Sequence, residues 1–284
     1  MAIAVVFCSA SPSAGQGLPF HTETALTTAF EQRAVRSFAM WQSRGAVDMI
    51  VAPVAILPYA PHERVTTKVV VPLKYARLDL GQGDHLSRTG VADVSVAVKW
   101  AFLSRDRPEG TSRLALAGVV SLPTGSTAPS NSDGQPPQAL PLGRGAAAAG
   151  ATVIGTILRG RWGLSADLAH ERPWSHGGFR AGFTTRYDLA IGFRLPRHVT
   201  TTRTRTLQLY LEWNGSVEGA AMDDGIRVDH TGGHLAFVSP GVQRVVLRRL
   251  LLEASLQIPV IQDFRGIQPD VGVRPAFGGR FLFF

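Results

Sequence analysis

The residues of this chain that could do chemistry fall into three sets. Asp223, Asp224, Asp229, His230 and His234 lie close together and carry the carboxylate and imidazole groups that hold cations. Their stretch has the composition of a solvated loop, so no metal site is expected there. In the second set, Gly143-Arg144-Gly145-Ala146-Ala147-Ala148, with Asp167 downstream, matches the dinucleotide fingerprint. Pro136, Pro137 and Pro141 precede it where that motif needs a strand, so it reads as a loop entering a strand. His170 and His234 could serve a serine hydrolase mounted on a barrel wall, but spacing identifies no serine partner. No Gly-Lys-Ser/Thr phosphate loop, Gly-x-Ser-x-Gly elbow or His-Glu-x-x-His pair occurs. The expectation is a chain with no catalytic residues, no metal and no cofactor.

The third set consists of ionisable residues at alternate positions of strand-like segments. On the basic side are Lys68, Lys74, Lys99, Arg113, Arg180, Arg186, Arg194, Arg244, Arg274 and Arg280; on the acidic side are Asp48, Asp93, Asp167, Glu171, Asp188, Glu212 and Glu253. If these faces line a lumen, opposite charges on adjacent strands pair into a ladder that holds it open. The surplus of arginine then sets a field that favours anionic solutes, because guanidinium forks grip carboxylates.

The elements that must position these residues are strands. Val94, Val96, Val98, Trp100 and Phe102 alternate with Asp93, Ser95 and Lys99, and Leu207, Leu209, Leu211 and Trp213 alternate with Gln208, Tyr210, Glu212 and Asn214. The same period of two predicts about twelve strands, near 31–41, 46–57, 64–78, 91–103, 112–123, 146–159, 161–172, 179–196, 205–217, 233–247, 249–261 and 272–284. Several exceed the usual globular length and reach the roughly 9 to 11 residues that cross a bilayer at a tilt. Connections alternate: Asp79–Gly90, Thr124–Gly145, Glu218–Gly233 and Gln262–Val271 are long, whereas Arg159-Gly160-Arg161 and Leu247-Arg248-Arg249 are tight. With both termini in the periplasm, that asymmetry belongs to transmembrane barrels.

Composition agrees. Of 284 residues, 45% are hydrophobic and 18% charged, which excludes a disordered chain, and the single Cys8 excludes a disulfide scaffold. No apolar run is long enough for a membrane helix. The net charge of +8 is carried by arginines spread singly along strands, with no basic run or aromatic platform, so nucleic acid is not an expected partner. Trp41, Tyr59, Tyr75, Trp100, Phe102, Trp162, Trp174 and Trp213 fall toward strand ends, as in interfacial girdles. Alternation alone would also suit a soluble sandwich; the girdles and strand lengths favour the membrane. The chain ends Arg280-Phe281-Leu282-Phe283-Phe284, the terminal aromatic mark read by the outer-membrane assembly machinery. Met1–Gln16 reads as the remnant of a secretory signal, 17–30 as an N-terminal segment placed to plug the periplasmic mouth, and 31–284 as one barrel.

Leu57-Pro58-Tyr59-Ala60-Pro61-His62-Glu63-Arg64-Val65 leading to Val71-Pro72, then Gly90-Val91-Ala92-Asp93-Val94, then Leu122-Pro123-Thr124-Gly125, resembles the outer-membrane transporter family named for the meta pathway of phenol degradation. The resemblance implies an outer-membrane channel of Gram-negative bacteria. Together the readings give an all-β, up-and-down antiparallel transmembrane barrel for passive uptake of small solutes, anionic or aromatic. Lys99, Arg113, Arg180, Arg186, Asp188, Arg194, Glu212, Glu253, Arg274 and Arg280 line its path. The expected partners are outer-membrane lipid, the barrel assembly machinery through the last strand, and small solutes. The alternatives are a closed structural or adhesive barrel and a barrel lipid hydrolase.

Overall fold

The computed structural model describes residues 19–27, 33–127, 142–195, 206–247 and 249–283. The signal-like segment, Arg197–Thr204 and Phe284 lie outside them. The barrel strands are β1 (Arg33–Arg44), β2 (Val47–His62), β3 (Val65–Gly81), β4 in two parts (Asp84–Val91 and Val94–Arg107), β5 (Gly110–Leu122), β6 (Ala148–Arg159), β7 (Trp162–Pro173), β8 (Thr184–Arg194), β9 (Leu207–Glu218), β10 (Gly233–Leu247), β11 (Leu250–Phe264) and β12 (Arg274–Phe283). Each pairs antiparallel with its neighbour in sequence, and β1 closes on β12 from Arg33↔Phe283 to Met40↔Ala276. The result is a closed twelve-stranded barrel.

Both ends of the strand series therefore meet at one end of the barrel, here the terminal end. The tight turns at 63–64, 108–109 and 160–161 are on that side; the connections 123–147, 174–183, 219–232 and 265–273 are on the other, the loop end. One expected long loop is absent: Asp79–Gly90 is mostly strand. Gln82 and Gly83 have φ of 55° and 91°, so they close a two-residue turn whose twist matches the flanking strands. β3 and the first part of β4 consequently run on past the wall as a hairpin. β4 breaks at Ala92-Asp93 because the Asp93 carboxylate turns away to accept from Gly125 N at 2.9 Å and Arg144 N at 2.7 Å, pinning both ends of the 123–147 connection. After the break, Val94–Trp100 pairs with the lower half of β3.

At the loop end, three of the connections are tied to one another. Phe179–Arg180, Met222–Asp223 and Ile226–Arg227 form a three-stranded sheet joining two loops, and Gln268 Nε2 donates to Gly232 O at 2.9 Å, joining a third. Outside the barrel the exposed side chains are Val, Leu, Ile and aromatics at every second position, for example Val153, Ile157, Leu164 and Leu168; those between them, such as Thr156, Ser165 and Asp167, are mostly small or polar and buried, with Ile154 the large apolar exception in this stretch. Trp100, Phe102 and Tyr59 ring the terminal end, with Trp162 stacked 4.5 Å from Phe193; Trp41 and Trp174 stand at the loop end. Trp213 departs from the girdles, lying half-buried near the middle of β9.

Candidate lumen site

The inward face of β6 to β12 is a polar wall. Thr156, Ser165, Asp167, Gln208, Glu212, Asn214, Ser239, Gln243, Glu253, Ser255 and Gln257 are all buried. Burying so many polar groups is tolerable only when each finds a partner, and the partners here come from neighbouring strands and from the segment 19–27, which threads the lumen.

Glu212 is the anchor of that segment. Its carboxylate accepts from Phe20 N at 2.7 Å, from His21 N at 3.0 Å, and from Thr22 N and Thr22 Oγ1, both at 2.8 Å. Three consecutive backbone N–H groups thus form a nest around a wall carboxylate, a geometry that proteins use for anions. Further along, Glu23 N donates to Asp167 at 2.7 Å and Ala25 N to Thr156 Oγ1 at 2.9 Å. Lys99 Nζ reaches across to donate to Thr24 O at 2.6 Å and Leu26 O at 2.7 Å. Lys68 pairs with the Glu23 carboxylate, and Arg113 Nη1 contacts Thr27 Oγ1 at 3.3 Å. Phe20, 4% exposed, packs edge-on against Phe38 at 4.9 Å. One cavity, beside Thr24, Leu26, Thr156 and Tyr210, is about 10 Å³, room for about one water.

Toward the terminal end a second buried cluster forms around Glu253. Arg36 Nε donates to it at 2.6 Å, Gln243 Nε2 at 2.9 Å, and Arg280 Nη2 stands 3.8 Å away. Arg36 also lies over the Phe20 and Phe38 rings and donates to Phe20 O at 2.9 Å, so it ties the segment to this cluster. Toward the loop end, Asp188 accepts from Asn214 Nδ2 at 3.1 Å, and the Arg274 guanidinium sits 4.6 Å above the Phe237 ring.

Lys99, Arg113, Arg186, Asp188, Arg194, Glu212, Glu253, Arg274 and Arg280 therefore all occupy the inward register. Arg180 does not: the β8 ladder begins at Thr184, and Arg180 pairs with Met222 in the small loop-end sheet. At Gly182, just before the ladder, a Cβ would meet Gly219 O at 1.9 Å, so only glycine allows the two backbones this close. Arg244 faces outward between exposed Val242 and Val246, Asp48 faces outward opposite Arg77, and Asp93 is engaged in the β4 break. Arg36 and Gln243, both held to the inward Glu253, are positions that periodicity missed. The acidic and histidine residues of the 219–232 loop scatter: His230 Nδ1 accepts from Ile267 N at 3.3 Å, and His234 Nε2 lies 2.6 Å from the Tyr187 hydroxyl. His170 pairs with Thr185 Oγ1 at 2.9 Å.

A closed meander that is apolar outside and polar within is a transmembrane barrel of the bacterial outer membrane. Comparison with solved structures gives the same class. The chain matches the COG4313 outer membrane channel from Pseudomonas putida F1 with a TM-score of 0.71 at 12% identity, over 93% of this chain and 100% of that one. It also matches the β domain of the Bordetella autotransporter Brka (TM-score 0.45, 15% identity, 89% and 99% of the two chains) and the CymD monoaromatic hydrocarbon channel (TM-score 0.33, 8% identity, 90% and 89%). No family model and no curated protein matches the sequence.

Proposed function

We propose that this barrel is a narrow channel for passive uptake of small anionic or aromatic solutes, and that Pro19–Thr27 is its plug. The observation that carries the reading is the segment's seat in the lumen, held by Glu212 on one side and by Lys99 and Arg36 on others. The inward basic groups outnumber the inward acids, and Lys68 and Lys99 already hold a carboxylate and main-chain oxygens of the segment, the kind of atom an anionic solute would present, while Arg113 holds its Thr27 hydroxyl. The resemblance to the phenol meta-pathway transporters supports aromatic solutes. The last strand, with Phe277, Phe281 and Phe283 exposed, is the segment through which the assembly machinery would take hold.

Reversal potentials under a salt gradient test the selectivity. The intact chain in planar bilayers is expected to prefer anions, and a preference for cations overturns the reading. Density of hydrogen bonds around the segment favours one rival, a permanently closed structural barrel. That rival stands if neither the intact chain nor one lacking Pro19–Thr27 conducts.

Docking of the segment should depend on pH. Burial, followed by the charges of Arg36 and Arg274, pushes His21 down to about 3, so the docked ring is neutral. Desolvation opposes the charge of Glu23, but Lys68 and Lys99 outweigh it and hold the carboxyl at about 2. Once released into water, both groups would bind protons at higher pH, near the ordinary 6.5 and 4.5. Both therefore favour the released state on acidification. Conductance is expected to be flat above pH 7 and to rise as pH falls from about 6.5 toward 4, first through His21 and then through Glu23. The H21Q variant should lose the upper part of that rise.

A further inference from the structure

The exposed charges of the barrel are divided by end. At the loop end the exposed acids include Asp79, Asp84, Asp223, Asp224, Asp229 and Asp263, and they outnumber the exposed arginines. At the terminal end the balance reverses. Arg105, Arg107, Arg159 and Arg161 are exposed there on two neighbouring hairpins, with Asp106 and Glu109 the acids among them.

These four arginines belong to one built patch. The turn at 108–109 is tied to the turn at 160–161, since Gly160 N donates to Glu109 O at 3.1 Å and Arg159 pairs in register with Gly110. A register shift between Trp100 and Leu103 sets Leu103, Arg105 and Arg107 on the outward face, opposite Leu114, Ser112 and Gly110. Arg159 and Trp162 are cross-strand partners on the same face. Asp106 points the other way, to Arg113 and Thr111, and so does not neutralise the patch. Arg159 lies 3.7 Å from Glu109, whereas the side chains of Arg105, Arg107 and Arg161 make no ion pair or hydrogen bond with the described residues.

Trp100, Phe102 and the stacked Trp162–Phe193 pair mark where the hydrocarbon ends at this end. Along β4, Arg105 and Arg107 lie past Trp100 and Phe102, and across the ladder Arg107 and Arg159 share a row with Trp162 and Phe193, so the arginines stand on the outward face within this aromatic girdle, where headgroups meet the wall. A guanidinium there can bury its stem along the apolar wall and present its fork to phosphate oxygens. We infer that Arg105, Arg107, Arg159 and Arg161 form a binding site for the headgroup of an anionic phospholipid in the leaflet at the terminal end.

Native mass spectrometry of the full chain, refolded in detergent and offered dioleoylphosphatidylglycerol or dioleoylphosphatidylcholine, tests this. An arginine beside an anionic surface strengthens binding by about fivefold. Retention of phosphatidylglycerol should therefore exceed that of phosphatidylcholine by at least about tenfold. The R105Q/R107Q/R159Q/R161Q variant should lose this preference to within about twofold. A loop-end control, R77Q/R172Q/R227Q/R265Q, should keep it, and unchanged heat-modifiable mobility on gels reports folding of both. Equal retention of the two lipids by the intact chain, an unaltered preference in the first variant, or full displacement of the lipid by millimolar inorganic phosphate overturns the inference.

Discussion

A chain lacking Pro19–Thr27 should conduct several-fold more than the intact chain in planar bilayers. The segment occupies the lumen through contacts with strands on opposite walls, Glu212 on β9 and Lys99 on β4. A single substitution should approach the same state. In Glu212→Ala, three backbone N–H groups and the Thr22 hydroxyl lose a charged acceptor. Hydrogen bonds to a charged group contribute about 1.5 to 3 kcal/mol each. Even heavily discounted for water reaching the freed groups, the loss should exceed about 3 kcal/mol, on the order of 100-fold in the docked population. Glu212→Gln keeps the shape with one acceptor oxygen and should fall between. Unchanged conductance in the deleted chain would sink the plug reading whatever Glu212→Ala does.

The largest effect on stability should come from Glu253. It is 1% exposed, and the two guanidiniums that face it, Arg36 and Arg280, have side chains only 15% and 13% exposed. Replacing it by alanine leaves two like charges buried without their counter-ion. Removing one partner of a buried ion pair typically costs about 3 to 5 kcal/mol. Glu253→Ala is expected to lower the urea midpoint of the refolded barrel in lipid vesicles accordingly. Glu253→Gln, which preserves shape and acceptor but not charge, should recover a minor part. A loss below about 1 kcal/mol would mean that the arginines find other acceptors.

The number of strands and the division of the wall into apolar and polar faces were legible because a membrane barrel repeats one rule along every strand. Where a strand breaks the rule locally, a single parity misassigns its residues. In β2 the register shifts between Pro53 and Ala55, so Ile50 and Leu57 both face outward although one is even-numbered and the other odd. Asp48 is in phase with Ile50, and extending the parity of Leu57 backward sends it to the wrong face. In β10 the run Val245-Val246-Leu247 spans another shift and hides the alternation that places Arg244 outside. Arg36 was illegible for the opposite reason: Phe38 packs inward beside it to meet Phe20, so its strand shows no clean polar face. Hydrogen bonds between the segment and the wall join residues up to 192 positions apart, and no local pattern encodes them.

The grip of Glu212 on the segment has a consequence for how this part of the chain can vary. The groups it holds are mostly main-chain amides, which every residue except proline supplies. Changes of side chain at 20 or 21 therefore leave the Glu212 hydrogen bonds in place, although a change at 20 gives up the packing of Phe20 on Phe38 and Arg36. Proline at 21, by contrast, would remove a donor that no other substitution touches. The segment is thus tied in place chiefly by one glutamate on a strand nearly two hundred residues away.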